Sequence, residues 1–315
     1  MKKFLLPFLL LFILKANAQL LSWTPDFIQE SSTPVTITMD ANYGNKGLLN
    51  YTPTSDVYVH IGVITNYSSS TSDWKHAPFA WGTVNANAQC TYLGNNKWKY
   101  TITGGLRTFF NMTDANEKIL KIAILFRNAN GNNSIKQANA DGSDMYIPVY
   151  DNGLYARIDV PFKQPLYNPI PEPITKNIND PLSITAKSSI AGTLKIYLNS
   201  NLLTTSNTTA ATANTTITAY GNNRIIAEAN NGITTKRDTV SFFIPYVLPD
   251  TLKDGINYEP GDTSVTLVLY APYKKKVIVA GDFNNWTSSA NYKMNVTPDS
   301  ARYILRITHL TPGTE

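Results

Sequence analysis

The sequence predicts an all-β chain of tandem Ig-like β-sandwiches, the last of them incomplete. Three observations carry this. Apolar and polar residues alternate over short runs, as where Val57, Val59, Ile61 and Val63 alternate with Tyr58 and His60; successive side chains of a strand point to opposite faces, so such runs read as strands. Clusters of Asn, Gly, Ser, Thr and Pro interrupt the runs, at the spacing expected of turns between short strands. Long helical periodicity is absent throughout.

The chain begins with Lys2-Lys3, an apolar run from Phe4 to Leu14, then Lys15 and Ala16-Asn17-Ala18. Charged, apolar and small-residue regions in that order predict a secretory leader over residues 1–18, leaving Gln19 first in the mature chain. The apolar run is too short for a spanning helix, and no cysteine follows to carry a lipid. A secreted or cell-surface protein without a membrane span is therefore expected. Lys and Arg number 27 against 22 Asp and Glu; three of the cations lie in the leader, so the mature chain has 24 against 22, a net charge near +2. With no basic cluster beyond Lys274-Lys275-Lys276, nucleic acid is not an expected partner, and that triplet reads as a solvated strand edge. The single cysteine, Cys90, excludes an internal disulfide framework and reads as a buried thiol.

Prolines divide what remains. Pro161, Pro165, Pro169, Pro171 and Pro173 predict a stiff, extended linker over 161–173, and a second break falls at Pro245 to Pro249. The expected domains are therefore 19–160, 174–247 and 248–315. In the first, Tyr58 and His60 occupy the strand face expected to point outward. The loop from Tyr67 to Trp81 carries Trp74 and Trp81 among polar residues, where a tryptophan has little reason to serve packing alone. Trp98 is in register with Tyr100 and Ile102 and reads as core; Trp23, beside Pro25, reads as a packing anchor. A strand at Lys121 to Asn128 leads into Gly131-Asn132-Asn133, and another is expected around Asp144-Met145-Tyr146-Ile147-Pro148. Asp141 and Asp144 lack the spacing of a calcium loop and read as turn caps; no metal or cofactor is expected.

The middle domain shows strands at Leu182–Thr185, Gly192–Leu198, Asn222–Ala229 and Asp238–Phe243, with a Thr/Asn-rich separator from Thr204 to Thr218. By pattern alone it is an Ig-like spacer. In the third, Thr263, Val265, Leu267 and Leu269 alternate with Ser264, Thr266, Val268 and Tyr270. After Ala271-Pro272-Tyr273, a second strand from Lys275 to Ala280 is expected to run into the polar turn Gly281-Asp282-Phe283-Asn284-Asn285-Trp286.

The order strand, Ala-Pro turn, strand, Gly-Asp-Phe-Asn-Asn-Trp resembles carbohydrate-binding module family 48, the Ig-like module that precedes the catalytic barrel in many amylase-type enzymes of glycoside hydrolase family 13. The resemblance covers roughly residues 249 to 315. It implies binding of α-1,4-linked glucan, with Trp286 where family members stack a ring on glucose. A pyranose offers an apolar C–H face to an indole, and its hydroxyls suit side-chain amides such as Asn284 and Asn285. The same residues also fit a turn whose Trp286 folds back as a plug, or packs on a catalytic domain, while Asp282 and Asn284 cap the backbone. Tyr303, Leu305 and Ile307 mark a further strand, and Leu310 to Glu315 resembles the turn into the family's final strand, so the resemblance implies a truncated module and a catalytic domain missing in cis.

The first domain is similar, more distantly, to starch-binding module families 25 and 26. Tyr58 and His60 match their Tyr-Ile-His strand and Trp74 their loop tryptophan. Those families often carry another tryptophan after the Asn-rich turn, where this chain has Ser134, so the implied platform is either incomplete or rebuilt from Trp81.

No Gly-x-Ser-x-Gly elbow, His-Glu-x-x-His or Walker loop occurs, and His60, His76 and His309 have no neighbouring nucleophile pattern. Nothing alternates strand with helix as a catalytic barrel requires. The covered residues read as non-catalytic modules that bind starch- or glycogen-type polysaccharide for an exported hydrolase. A non-enzymatic surface glycan-binding protein and a structural adhesin stalk remain open beside that reading.

Overall fold

The computed structural model describes residues 19–131 and 135–312. The leader expected at 1–18 and most of the Asn-rich turn, with Ser134, lie outside the described residues. No helix among the described residues is long and apolar enough to cross a membrane. The chain is all-β and forms two compact units: one runs to Asn152 and includes Phe162–Ile170, the other holds Gly153–Pro161 and everything from Pro171.

The first unit is a sandwich of two antiparallel sheets. Its strands are β1 (Leu21–Thr24), β2 (Val35–Asp40), β3 (Tyr58–Thr65), β4 (Thr91–Gly94), β5 (Lys97–Ile102), β6 (Ile119–Arg127), β7 (Lys136–Gln137) and β8 (Met145–Pro148). One sheet has the order β1-β2-β5-β4; in the other β6 pairs with β3, β7 and β8. Their inner faces meet in one core, where Ile37, Met39, Trp98 and Ile102 pack with Val59, Ile61, Val63, Ile122, Ile124 and Phe126. Each large apolar side chain so buried contributes roughly 1.5–3 kcal/mol. Trp98 is core, as its register indicated, and its indole N–H donates to Thr54 O (2.9 Å). Cys90 is a buried free thiol.

The second unit begins earlier than the prolines suggest. Strand β9 (Ala156–Val160) pairs with β10 (Pro181–Ser188), so residues that the sequence reading gave to the first domain belong to the middle sandwich. The expected linker is likewise no spacer: Phe162–Ile170 folds with the first unit. Proline lacks an N–H but keeps its carbonyl, and Pro165 O accepts the Tyr146 N–H (2.8 Å) that β8 would otherwise leave unpaired.

The middle sandwich adds β11 (Thr193–Leu198), β12 (Asn201–Ser206), β13 (Ala210–Thr216), β14 (Gly221–Asn230) and β15 (Thr235–Ile244), in sheets β13-β10-β9 and β12-β11-β14-β15. Strict alternation buries Leu182, Ile184, Leu194, Ile196, Ile225 and Ala227. The Thr/Asn-rich stretch read as a separator supplies β12 and β13. Threonine suits a pleated surface, and Ala211 and Ala213 give β13 a buried face.

The last region is a single antiparallel sheet of β16 (Gly255–Tyr258), β17 (Ser264–Tyr270), β18 (Asn295–Val296) and β19 (Arg302–Thr308), in the order β16-β17-β19-β18. Its buried β17 positions are Ser264, Thr266 and Val268. The two hydroxyls donate to Glu259 (2.9 and 2.8 Å). The opposite face is apolar, yet Ile256 and Leu269 on it are 59% and 44% exposed, because no second sheet among the described residues covers it. The strand expected from Lys275 to Ala280 is reduced to one bridge, Ile278 with Lys293.

Candidate functional site

Two surfaces contain the sequence candidates. In the first unit the relevant surface is the outer face of the sheet holding β3 and β6. Cross-strand register sets Tyr58 opposite Arg127, His60 opposite Leu125 and Gly62 opposite Ala123, with Tyr146 of β8 beside Ala123. The Gly62–Ala123 pair is the low point of this face, and Trp74 lies over it. A Cβ on Gly62 would stand 3.4 Å from the Trp74 ring and 3.1 Å from Lys75 O. Lys75 secures the loop by exchanging both backbone bonds with Val63 (3.0 and 2.8 Å).

His60 stacks on Trp74, ring centres 5.3 Å apart and planes at 19°, while Trp81 meets the imidazole edge-on at 5.0 Å. Tyr58 is not on the outward platform expected of it. It is buried at 8% exposure, because the loop after β3 folds over this face and the Arg127 guanidinium sits 5.9 Å from its ring. Arg127 is fully buried and anchors the surrounding loops, donating to Asn128 O, Ala129 O and Thr83 O (2.8, 3.1 and 2.8 Å). The guanidinium also lies 5.6 Å from the Trp81 ring, whose indole N–H donates to Gly131 O (3.1 Å). Burial, then the Arg127 charge, holds the His60 imidazole below its ordinary value of 6.5, opposed in part by a backbone hydrogen bond with Phe79. The ring is therefore neutral at pH 7.

His60, Ser72, Trp74, Ala77, Trp81, Leu125, Lys136 and Asp144 line a shallow, open depression of about 390 Å³. Asp141 caps its turn, accepting from Ser143 N (3.0 Å) and Ser143 Oγ (2.6 Å). Asp144 does not behave as a cap. Its side chain accepts no hydrogen bond among the described residues, and burial raises its pKa against the opposing charge of Lys136. Sequence reasoning passed over Arg127, Asp144 and Tyr146 as parts of this surface. The available signal was Gly62 within a β-branched strand, which marks a close approach.

The second surface is the turn after Ala280. Gly281 N donates to Asn284 Oδ1 (2.9 Å) and Asn284 Nδ2 donates to Val279 O (3.0 Å), so both ends of that amide hold the backbone, as the capping alternative has it. Thr287 Oγ1 closes the turn onto Asn284 O. A Cβ on Gly281 would lie 2.4 Å from the Phe283 ring, so the half-exposed phenyl would have to move to admit one. Asn285 and Trp286 both adopt the left-handed region, φ 52° and 57°, rare for a tryptophan. The indole N–H donates to Asp282 Oδ1 (2.7 Å), and the side chain stays 70% exposed. A large apolar plane thus faces water with its one polar atom already satisfied. The Asn285 side chain is exposed and makes no hydrogen bond among the described residues.

Among the described residues no group of three or more His, Cys, Asp or Glu could hold a metal ion. No family model matches the chain, and no curated protein does. Among solved structures it is similar to the fibronectin(III)-like modules of Clostridium thermocellum CbhA, at 12% identity and TM-score 0.22 over 71% of this chain and 93% of that one. Ligand-free PulA from Klebsiella pneumoniae gives 12% identity and TM-score 0.25 over 93% of this chain and 30% of that one. A biofilm-associated protein BSP domain gives 12% and 0.17, over 93% and 61%. Likenesses this slight say nothing of function.

Proposed function

We propose that this chain binds α-1,4-linked glucan of the starch or glycogen type. The observation that carries the reading is Trp286: an indole 70% exposed, whose N–H is held by Asp282 so that its flat surface is offered to solvent. Exposed aromatic planes of this kind stack on the apolar face of a pyranose, and Asn285 beside it is free to meet a hydroxyl. The hollow at His60, Trp74 and Trp81 is a second point of attachment. Two weak sites on one chain raise the effective concentration at a polymer surface. The resemblance of Gly281 to Trp286 to the amylase-associated module supports placing these modules in an exported amylase-type hydrolase.

The test is electrophoresis of the full chain through native gels containing amylopectin. The wild-type chain is expected to be retarded, and Trp286→Ala to lose most of that retardation without a change in melting temperature. A wild-type chain that migrates as it does in a sugar-free gel would sink the reading.

A further inference from the structure

The hollow at His60 and Trp81 does not end at Asp144. A second hollow of about 350 Å³ is lined by Thr71, Ser72, Ser143, Asp144, Tyr146, Leu166, Tyr167 and Asn168. Ser72 and Asp144 line both, so the two meet at that pair. The far wall is the proline-rich segment, where Tyr167 packs edge-on against Tyr146 (5.3 Å) beneath the Lys121 ammonium (5.0 Å).

The polar inventory of this groove is unfinished. His60 Nδ1 is buried without a hydrogen-bond partner among the described residues, a rare condition for a buried polar atom, while the Trp74 indole N–H faces the Tyr146 hydroxyl. The nearby Tyr146 hydroxyl is already donated to Thr71 O (2.8 Å). Asp144 at the junction is half-buried with unused acceptor oxygens. The charged side chains facing it are Lys136, which opposes the carboxylate, and Lys121 at the far wall over Tyr167, with the His60 imidazole held below its ordinary value by burial. Such a wall suits a ligand carrying many groups that both donate and accept, with apolar faces for the aromatics at its two ends.

Resting on the glucan reading, we propose that the two hollows form one groove for an extended run of neutral sugar units, in which Asp144 is the specificity-determining residue, accepting hydroxyls from units on either side of the junction. Length of the bound chain is then set by the distance from Trp81 to Tyr167, and the proline-rich segment is part of the binding surface.

The experiment uses the full chain carrying Trp286→Ala, so that the exposed turn is silent, titrated with maltose and with maltoheptaose. The heptasaccharide is expected to bind about tenfold more tightly than the disaccharide. The isosteric Asp144→Asn should weaken both by about tenfold, the size expected for losing a charge-assisted acceptor. Tyr167→Ala should weaken maltoheptaose while leaving maltose unchanged, which a general loss of folding would not do. Unchanged affinity in Asp144→Asn, or equal affinity for the two sugars, overturns the groove and leaves glucan binding at Trp286 intact. Binding by the wild-type chain that vanishes entirely in the Trp286→Ala parent overturns it too. Failure of the wild-type chain to bind either sugar or amylopectin is the separate result that sinks the glucan reading itself.

Discussion

Trp74 and Trp286 stand in similar sequence surroundings, each in a polar loop after a strand, yet they end in opposite environments. Trp74 lies on the outer face of a sheet, over Gly62 and Ala123 and against His60, half-buried. Trp286 stays 70% exposed; its turn is closed by Asn284 and, among the described residues, its ring is tied to Asp282 alone. The difference comes from what lies beneath. Two small residues side by side on neighbouring strands leave a depression that fits an indole, and filling it recovers dispersion and apolar burial. The turn at 281–286 meets no such depression. A tryptophan in a polar loop therefore packs where the facing sheet is small-sided and is displayed where it is not.

That contrast can be broken most forcefully at Arg127. Replacing it with methionine removes the buried guanidinium that holds the loops around Trp81, and the first unit should lose about 3 kcal/mol, read by urea denaturation. A loss under about 1 kcal/mol would mean that the carbonyls hold their places unaided. Next, Trp74→Ala should cost about 2–3 kcal/mol by emptying the depression, whereas Trp286→Ala should stay within about 0.5 kcal/mol. Equal effects in the same melts would erase the distinction between a packed and a displayed indole. Gly62→Val sharpens it further, since side-chain atoms must displace the Trp74 ring. A loss of roughly 1–3 kcal/mol with a red-shifted tryptophan emission is expected, and an unshifted spectrum would contradict the close approach.

The smallest effect concerns the sheet of the last region. Hydrogen bonds from Arg306, then from Thr266 and Ser264, hold the Glu259 carboxyl down at about 2, from an ordinary 4.5. The folded-state value is depressed, so this contribution is fully present above about 4.5 and disappears as pH falls towards about 2. Melting curves of wild type and Glu259→Gln should converge over that interval. Because the groups are largely solvated, the separation at pH 7 is small; curves still parallel at pH 2 would refute the assignment.

Much of the fold was legible because alternation marks a strand and its two faces. The runs at 57–63, 182–185 and 225–229 and the core place of Trp98 all follow from it. What escaped was read from composition instead. The prolines of 161–173 suggested a spacer, but a carbonyl-rich segment is also a good cover for an open strand edge, and Pro165 serves as one. The threonines of 204–218 suggested a loop although they suit strands equally well. Tyr58 alternates outward from the core, but alternation cannot tell that a later loop and Arg127 cover the outer face as well. Asn284 was read both as a sugar contact and as a cap, and the choice depended on Val279 O and Gly281 N lying within reach.

By itself the order of residues determined the class of fold and the inner faces of the strands in the two sandwiches, since each depends on neighbours within a few positions. Only tertiary structure decided which face of the last sheet is buried, that Trp286 is displayed, and what surrounds His60. It brings Asp144, Tyr146 and Tyr167 to the same face as His60 and Trp74 by strand pairing and by the return of the proline-rich segment, contacts between residues far apart in the chain that no local pattern encodes.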